Sequence, residues 1–309
     1  MEVVRSGFRE GVHHVSVVLL AADGTVAHSV GEVTAPMFPR SSNKPVQAVA
    51  MLRAGLTPAD DADLALVCAS HNGEPPHVER ALAILARAGL TEDDLRCPPD
   101  LPLYGPAAEA VGPGGARRAS MNCSGKHAGM LATCVARGWS LPDYLRPEHP
   151  LQRAIAASLA DAAGEPVAAT GVDGCGAALY AISLTGLARA FAGLTTAPDG
   201  SPERRVADAM RAHPFLVAGT DREDTRLMTA VPGLVCKGGA EGVHAAALPD
   251  GRAVALKIDD GAGRARLPVM VAALRRLGVT EPGLADLAET PVLGGGRPVG
   301  TVRLIPGAL

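Results

Sequence analysis

Five short segments of the 309-residue chain hold residue types that could do chemistry. The first, Arg40-Ser41-Ser42-Asn43-Lys44, stands at the predicted start of a helix. Residues three apart share a helix face, so Ser41 and Lys44 can meet, whereas Ser42 and Lys44 point apart. A serine hydroxyl is a weak nucleophile until a base takes its proton, and a neutral lysine amine can do that. Burial and nearby cations lower a lysine pKa into the useful range, and backbone N–H groups at a helix start face a developing oxyanion. An N-cap serine beside a solvated lysine has the same spacing. The second segment, Ser70-His71-Asn72-Gly73-Glu74, follows the apolar run Ala62 to Ala69. A loop at the end of a buried element is a favoured place for function; a polar turn before the next helix is the plainer reading. The third, Asn122-Cys123-Ser124-Gly125-Lys126-His127, lacks the spacing and first glycine of a phosphate-binding loop. Its Cys123 thiolate could bind Zn²⁺ if further ligands came from elsewhere. The fourth, Gly171-Val172-Asp173-Gly174-Cys175-Gly176, surrounds an acid and a thiol with glycines that allow close backbone approach to a ligand; a Gly-rich turn with a buried cysteine would look the same. The fifth, Lys237-Gly238-Gly239-Ala240-Glu241-Gly242, sets a lysine on a predicted strand, with glycines leaving room for a substrate.

The elements that must position these residues follow from pattern. His13 to Leu20, the Asp23-Gly24 turn and Thr25 to Val30 predict a β-hairpin. Helices are predicted over Lys44 to Gly55, Pro76 to Gly89, Ser124 to Gly138, Pro150 to Ala163, Leu184 to Leu194, Pro202 to Val217 and Ala265 to Leu277. Cys97 to Ala116 and Thr170 to Ala178 read as loops. Gly233 to Lys237, Gly242 to Leu248 and Arg252 to Ile258 read as late extended segments. Hairpin, helices, hairpin, helix is an α+β order in which strands from both chain ends share one antiparallel sheet. It predicts one domain over 1–309, with a helical region over roughly 42–220.

Composition bounds the function. Hydrophobic residues are 47% and charged residues 20%, as in an ordinary globular chain, long enough to bury a core without staples. One Trp, three Tyr and four Phe leave the core aliphatic and argue against base stacking. A net charge of −3 without a basic stripe argues against a nucleic-acid partner. The cysteines at 68, 97, 123, 134, 175 and 236 form no C-x-x-C pair and no disulfide scaffold. No basic segment precedes an apolar one at the N-terminus, and the early apolar stretch, Val15 to Ala22, falls far short of the roughly 18 residues of a membrane span. The expectation is a cytoplasmic protein with reduced thiols and no membrane partner.

Taken jointly, the five segments resemble the asparaginase II family of serine–lysine L-asparaginases, over a stretch from Arg5-Ser6-Gly7 to about Gly261. The resemblance implies a fold similar to serine β-lactamases, penicillin-binding proteins and glutaminases, with the fifth segment similar to the strand Lys-Thr-Gly element of the penicillin-recognising enzymes. It implies Ser41 as nucleophile with Lys44 as its base, and Ser70 paired with Lys237. It implies Arg40 and Asp173 as binders of the amino-acid head group, the cation for the α-carboxylate and the anion for the α-ammonium. It implies a zinc site of Cys123, Lys126 and Cys175 that aids substrate binding, L-asparagine as substrate, and a homodimer. Ala178 departs from the proline found there in many relatives. Two other readings stand beside this one. A glutaminase or β-lactam-type acyl hydrolase would use the same fold. A non-enzymatic zinc-binding module would use Cys123 and Cys175 structurally, although such sites normally offer four Cys/His ligands.

Overall fold

The computed structural model describes residues 1–309. Strand Val15–Leu20 pairs antiparallel with Val26–Val30 across the Asp23-Gly24 turn, as the sequence predicts. Its other edge pairs with Ala253–Ile258, which carries Val243–Ala247 and then Val235–Gly238. The two chain ends thus share a five-stranded antiparallel sheet. Its inner strands are aliphatic and buried, Val243–Ala247 at every position, so helices must cover both faces. In the outer pair Lys237 stands opposite Ala245 and Gly238 opposite His244.

A second sheet, in the order Thr290–Gly294, Arg297–Arg303, Glu2–Arg5, Phe8–Val12, also joins the termini. The sequence reading passes over it because its strands lack a clean apolar alternation; Phe8–Val12 buries no residue at all. A third, small sheet joins Pro36–Met37, Ala178–Ser183 and Ala169–Val172. The predicted loop at 170–178 is therefore the tip of a hairpin, closed by Asp173 N–H donating to Ala177 O at 2.9 Å.

Predicted helices appear at Lys44–Arg53, Pro75–Arg87, Ser124–Arg137, Pro150–Ala163, Leu184–Thr196 and Arg266–Arg276. The stretch 202–217 is two helices, Pro202–Ala212 and Pro214–Val217, because Pro214 disfavours helical backbone in the residue before it. The apolar run at 62–69 is the helix Asp61–Val67, started by Asp60, whose carboxylate accepts from Asp63 N–H. Two helices escape the sequence reading: Gly105–Val111, inside the predicted loop, and Glu223–Ala230. One aliphatic cluster of 78 buried residues links all of this, with Tyr144, Tyr180 and Phe191 as its aromatic members. Close packing brings the second and third segments together. A Cβ on Gly125 would meet Leu66 O at 2.5 Å. Only glycine lets the start of helix Ser124–Arg137 press against helix Asp61–Val67, whose end leads to Ser70.

Candidate active site

A cleft of about 270 Å³ gathers residues from all the predicted segments except the His71–Glu74 part of the second. Ser41, Ser70, Arg40, Asp173, Cys123 and Cys175 line it. Lys44, Lys126 and Lys237 lie behind the wall, each only 1% exposed. A lysine is almost never fully buried unless paired. These three have different partners, and the partners define what each can do.

Lys44 ends a single 3₁₀ turn, Arg40–Asn43, and opens helix Lys44–Arg53. Its backbone N–H bonds to Ser41 O. Its Nζ donates to Ala69 O at 2.6 Å, Ser70 Oγ at 2.8 Å and Cys123 Sγ at 3.0 Å. Ser41 Oγ is not among these partners. The expected Ser41–Lys44 pair therefore shares a turn, while the amine is held by Ser70. A 3₁₀ turn eclipses residues i and i+3, but the long lysine stem carries the amine past Ser41. Ser70 is positioned by its own backbone, whose N–H donates to Val217 O at 3.0 Å.

Arg40 adopts φ = 53°, a left-handed conformation uncommon outside glycine. Such backbone persists only where the surroundings hold it. Here it turns the guanidinium onto Asp173, with Nε 2.7 Å from Oδ1. The two residues expected to bind opposite ends of an amino acid are thus an ion pair. On the other side, a Cβ on Gly239 would meet Pro39 O at 2.5 Å and Ser42 N at 3.2 Å. This glycine lets the Pro39–Ser42 turn pack against the strand end, while Gly238, Gly239 and Ala240 line the cleft. Residues two hundred positions apart in the sequence touch through it.

Cys123, Cys175 and Lys126 converge. Lys126 Nζ lies 3.1 Å from Cys175 Sγ, and all three residues are at most 3% exposed. The hydrogen bond from Cys123 pulls the Cys175 thiol well below its ordinary value; burial opposes this, and Lys126 and His127 add to it. The same bond, with burial, pushes Cys123 well up. Burial alone would lower Lys126, but Cys175, Cys123 and Asp173 outweigh it and raise the amine. His127 Nδ1 is bonded to Tyr144 OH at 2.7 Å, while its Nε2 is buried without a partner. Two soft thiols and an orphaned imidazole nitrogen nearby suit a zinc-type ion, and Lys126 could join them only after its amine loses a proton. Both thiols line the cleft.

The sequence reading missed the opposite wall. Arg222, Glu223, Asp224 and Arg266 line it. Asp224, 4% exposed, accepts from Lys237 Nζ at 2.8 Å through Oδ2 and from Gly238 N–H at 2.8 Å through Oδ1. His244 Nε2 lies 2.9 Å from the same Oδ1. Lys237 also donates to Gly238 O at 2.8 Å. The expected Ser70–Lys237 contact is absent from the bonded partners of either residue, since Asp224 holds the amine. Burial, reinforced by Lys44 and Arg222, lowers the Lys237 pKa, and Asp224 opposes that. Burial would raise Asp224, but Lys237 and His244 hold it well below the carboxylate range. Asp224, Cys236 and His244 also bring three possible metal-binding atoms within 4.8 Å of one another. Both oxygens of Asp224 already accept hydrogen bonds inside the protein, so the thiol group, whose sulfurs line the cleft, is the better fit. The signal for this wall was the charged run Asp221-Arg222-Glu223-Asp224, which in a sequence reads as a solvated surface.

His71 and Glu74, from the second segment, are structural. His71 Nδ1 accepts from Gly73 N–H at 3.1 Å, so Nε2 carries the proton toward Ser124 Oγ at 3.0 Å. Glu74 accepts from Thr220 N–H and Thr220 Oγ1 at 2.8 and 2.7 Å, which tethers the loop leading to Asp224.

A serine in reach of a buried amine, opening on a charged cleft in an α+β frame, has the makings of a hydrolase site. The sequence matches the family described as L-asparaginase II over residues 1–304, and the chain belongs to that family. Among curated proteins no match is found. Among solved structures, the chain is similar to Mglu at 13% identity and TM-score 0.44, covering 89% of this chain and 65% of that one. It is similar to Mglu in its tris and glutamate form at 14% identity and TM-score 0.46, covering 90% of this chain and 62% of that one. The chain therefore spans less than two thirds of the length of these two. A beta-lactamase from Mycobacterium bovis matches at 16% identity and TM-score 0.43, covering 88% and 92% of the two chains. No helix is long and apolar enough to cross a membrane.

Proposed function

We propose that the chain hydrolyses the side-chain amide of L-asparagine to L-aspartate and ammonia through an acyl-enzyme on Ser41. The observation that carries this reading is the one cleft shared by Ser41, Ser70 and the Arg40–Asp173 pair. A free amino acid is a zwitterion. When it enters, Arg40 takes the α-carboxylate and Asp173 the α-ammonium, so one internal ion pair is exchanged for two with substrate. A β-lactam brings a carboxylate but no α-amino-acid zwitterion, so it offers at most half of that exchange.

Ser41 attacks the amide carbon and its proton passes to Lys44, a step that needs a neutral amine turned from its acceptors Ala69 O, Ser70 Oγ and Cys123 Sγ toward Ser41. Backbone N–H groups at the start of the Lys44 helix hold the oxyanion. Ser70 and Lys237 deliver a proton to the leaving nitrogen. Water then hydrolyses the ester. Zinc held by Cys123, Lys126 and Cys175 would supply positive charge at the substrate-binding end of the cleft. The working form is taken to be a homodimer.

The test is ammonia release from asparagine and glutamine, and opening of a chromogenic β-lactam, each with and without added zinc. Asparagine is expected to turn over fastest, and zinc to lower KM. Faster turnover of glutamine would change the substrate; turnover of the β-lactam alone would overturn the reading.

A further inference from the structure

Of the three buried lysines around the cleft, only Lys237 forms a salt bridge, and nothing in the chemistry above uses its partner. We propose that Asp224 is a positioning residue for the hydrolysis: it keeps the Lys237 amine charged and fixed beside the cleft as the proton source for the leaving nitrogen. The inference rests on the amidohydrolase reading and deepens it.

The geometry is specific. Asp224 is the second residue of helix Glu223–Ala230 and reaches across to the strand Val235–Gly238. One carboxylate oxygen takes the Lys237 amine; the other takes the next residue's N–H. The amine also reaches Gly238 O, so two of its three protons are committed and the stem cannot swing. From the neighbouring strand, His244 abuts the carboxylate, and its Nδ1 lies 3.9 Å from Glu223 Oε2. The other groups around Lys237 are Cys236 on its own strand, Cys68 at the end of helix Asp61–Val67, and the cations Lys44 and Arg222. Arg266 stands over Gly238. Burial holds the Cys68 thiol at about 12, so it brings no charge. Burial, Arg222 and, whenever it is protonated, Lys44 favour a neutral Lys237; against them the amine has the Asp224 carboxylate, the anion in contact with it, and the Gly238 carbonyl.

The proton balance then closes. In acylation the Ser41 O–C bond forms, the C–N bond breaks, neutral Lys44 gains the serine proton, and Lys237 gives its one uncommitted proton to the nitrogen. In deacylation, water replaces the serine at carbon. One of its protons restores Lys237, the other leaves with the new carboxyl group and passes to ammonia as ammonium, and the Lys44 proton returns to Ser41. A neutral Lys237 has no proton to start this cycle.

Asp224→Asn is expected to lower kcat by about 100-fold or more, with KM within about threefold because the group does not touch the head-group binders. The alkaline limb of the kcat–pH profile should move to lower pH. Asp224→Glu, which keeps the charge, should restore the limb. Asp224→Asn/Lys237→Met should be no slower than Lys237→Met alone, since both act through one group. A wild-type alkaline limb and kcat in Asp224→Asn, or fully additive losses in the double variant, would sink the inference. If Asp224→Asn does not fold, the double variant removes both charges together and Asp224→Glu still reports the limb. An NMR titration of labelled lysine side chains, with Lys237 assigned by its loss in Lys237→Met, reads the same amine without turnover. It should titrate lower in any folded variant lacking the carboxylate; an unmoved titration overturns the inference. Absence of ammonia release by the wild-type protein would defeat the amidohydrolase reading instead, and the titration would still decide the role of Asp224.

Discussion

The two walls of the cleft each hide one lysine behind them, equally buried, and treat it in opposite ways. On one wall Lys126 faces the thiols of Cys175 and Cys123, which outweigh burial and raise its pKa. On the other, Lys237 faces a carboxylate, yet burial together with Lys44 and Arg222 lowers it. Burial is common to both, so the difference lies in the surrounding charge. The thiol wall collects negative charge around one amine and suits a cation that draws substrate in. The carboxylate wall sets Asp224 against the Lys237 amine and pairs Glu223 with Arg266, and it holds an amine whose pKa burial lowers. On the proposed reading, binding falls to the first wall and proton transfer to the second, with Ser41 and Ser70 between them.

The largest effect should come from the residue that both walls serve. Ser41→Ala should cut turnover on the order of 10⁴-fold or more, with the melting temperature and calorimetric asparagine binding close to wild type. Retention of a few per cent of the activity would remove Ser41 as nucleophile and turn attention to Ser70, which the Lys44 amine already contacts.

The walls themselves are separated by a matched pair. Lys237→Met should lower kcat by about 10²–10⁴-fold, the usual worth of an acid–base group, with KM nearly unchanged. Lys126→Met should do the reverse, raising KM and abolishing stoichiometric zinc binding in a metal titration, while kcat at saturation stays within about tenfold. If both variants lose kcat alike, the division of labour is wrong. A chelator sharpens the same point: it should raise KM and leave the melting temperature in place, whereas a structural zinc module would unfold.

Arg40→Ala should raise KM by about 10- to 100-fold, the worth of a charge-assisted hydrogen bond of roughly 1.5–3 kcal/mol, read from saturation curves. The smallest effect concerns acid stability. The folded pKa of Asp224 is held below its unfolded value, so its stabilisation is present above that unfolded value, about 4, and is lost as pH falls through the lower folded one. The melting-temperature gap between wild type and Asp224→Asn should be constant above about pH 4 and shrink below it.

Much of the site is legible because its chemistry sits at short, local spacings. Ser41 and Lys44 are one turn apart, as are Cys123 and Lys126, and a glycine tract marks the Asp173–Cys175 hairpin tip. The strands that join the chain ends are also readable where an apolar alternation or a turn dipeptide announces them, as in Val15–Leu20 and Val26–Val30. The terminal sheet was not readable, since its edge strand Phe8–Val12 buries nothing and leaves no pattern. Asp224 was hidden for the opposite reason. It is a buried acid inside a charged run, and a sequence does not say which member of such a run turns inward.

By itself, then, the sequence determined the cast: an α+β frame, the Ser–Lys turn, the two thiols with their lysine, and the oppositely charged pair Arg40 and Asp173. Tertiary structure decided the partnerships. Lys44 bonds to Ser70 rather than Ser41, Lys237 to Asp224 rather than Ser70, and Arg40 to Asp173. The physical reason is that a lysine or arginine stem reaches well beyond its own turn. Which acceptor its head meets depends on which segments close packing, as at Gly125 and Gly239, allows to come within hydrogen-bond distance.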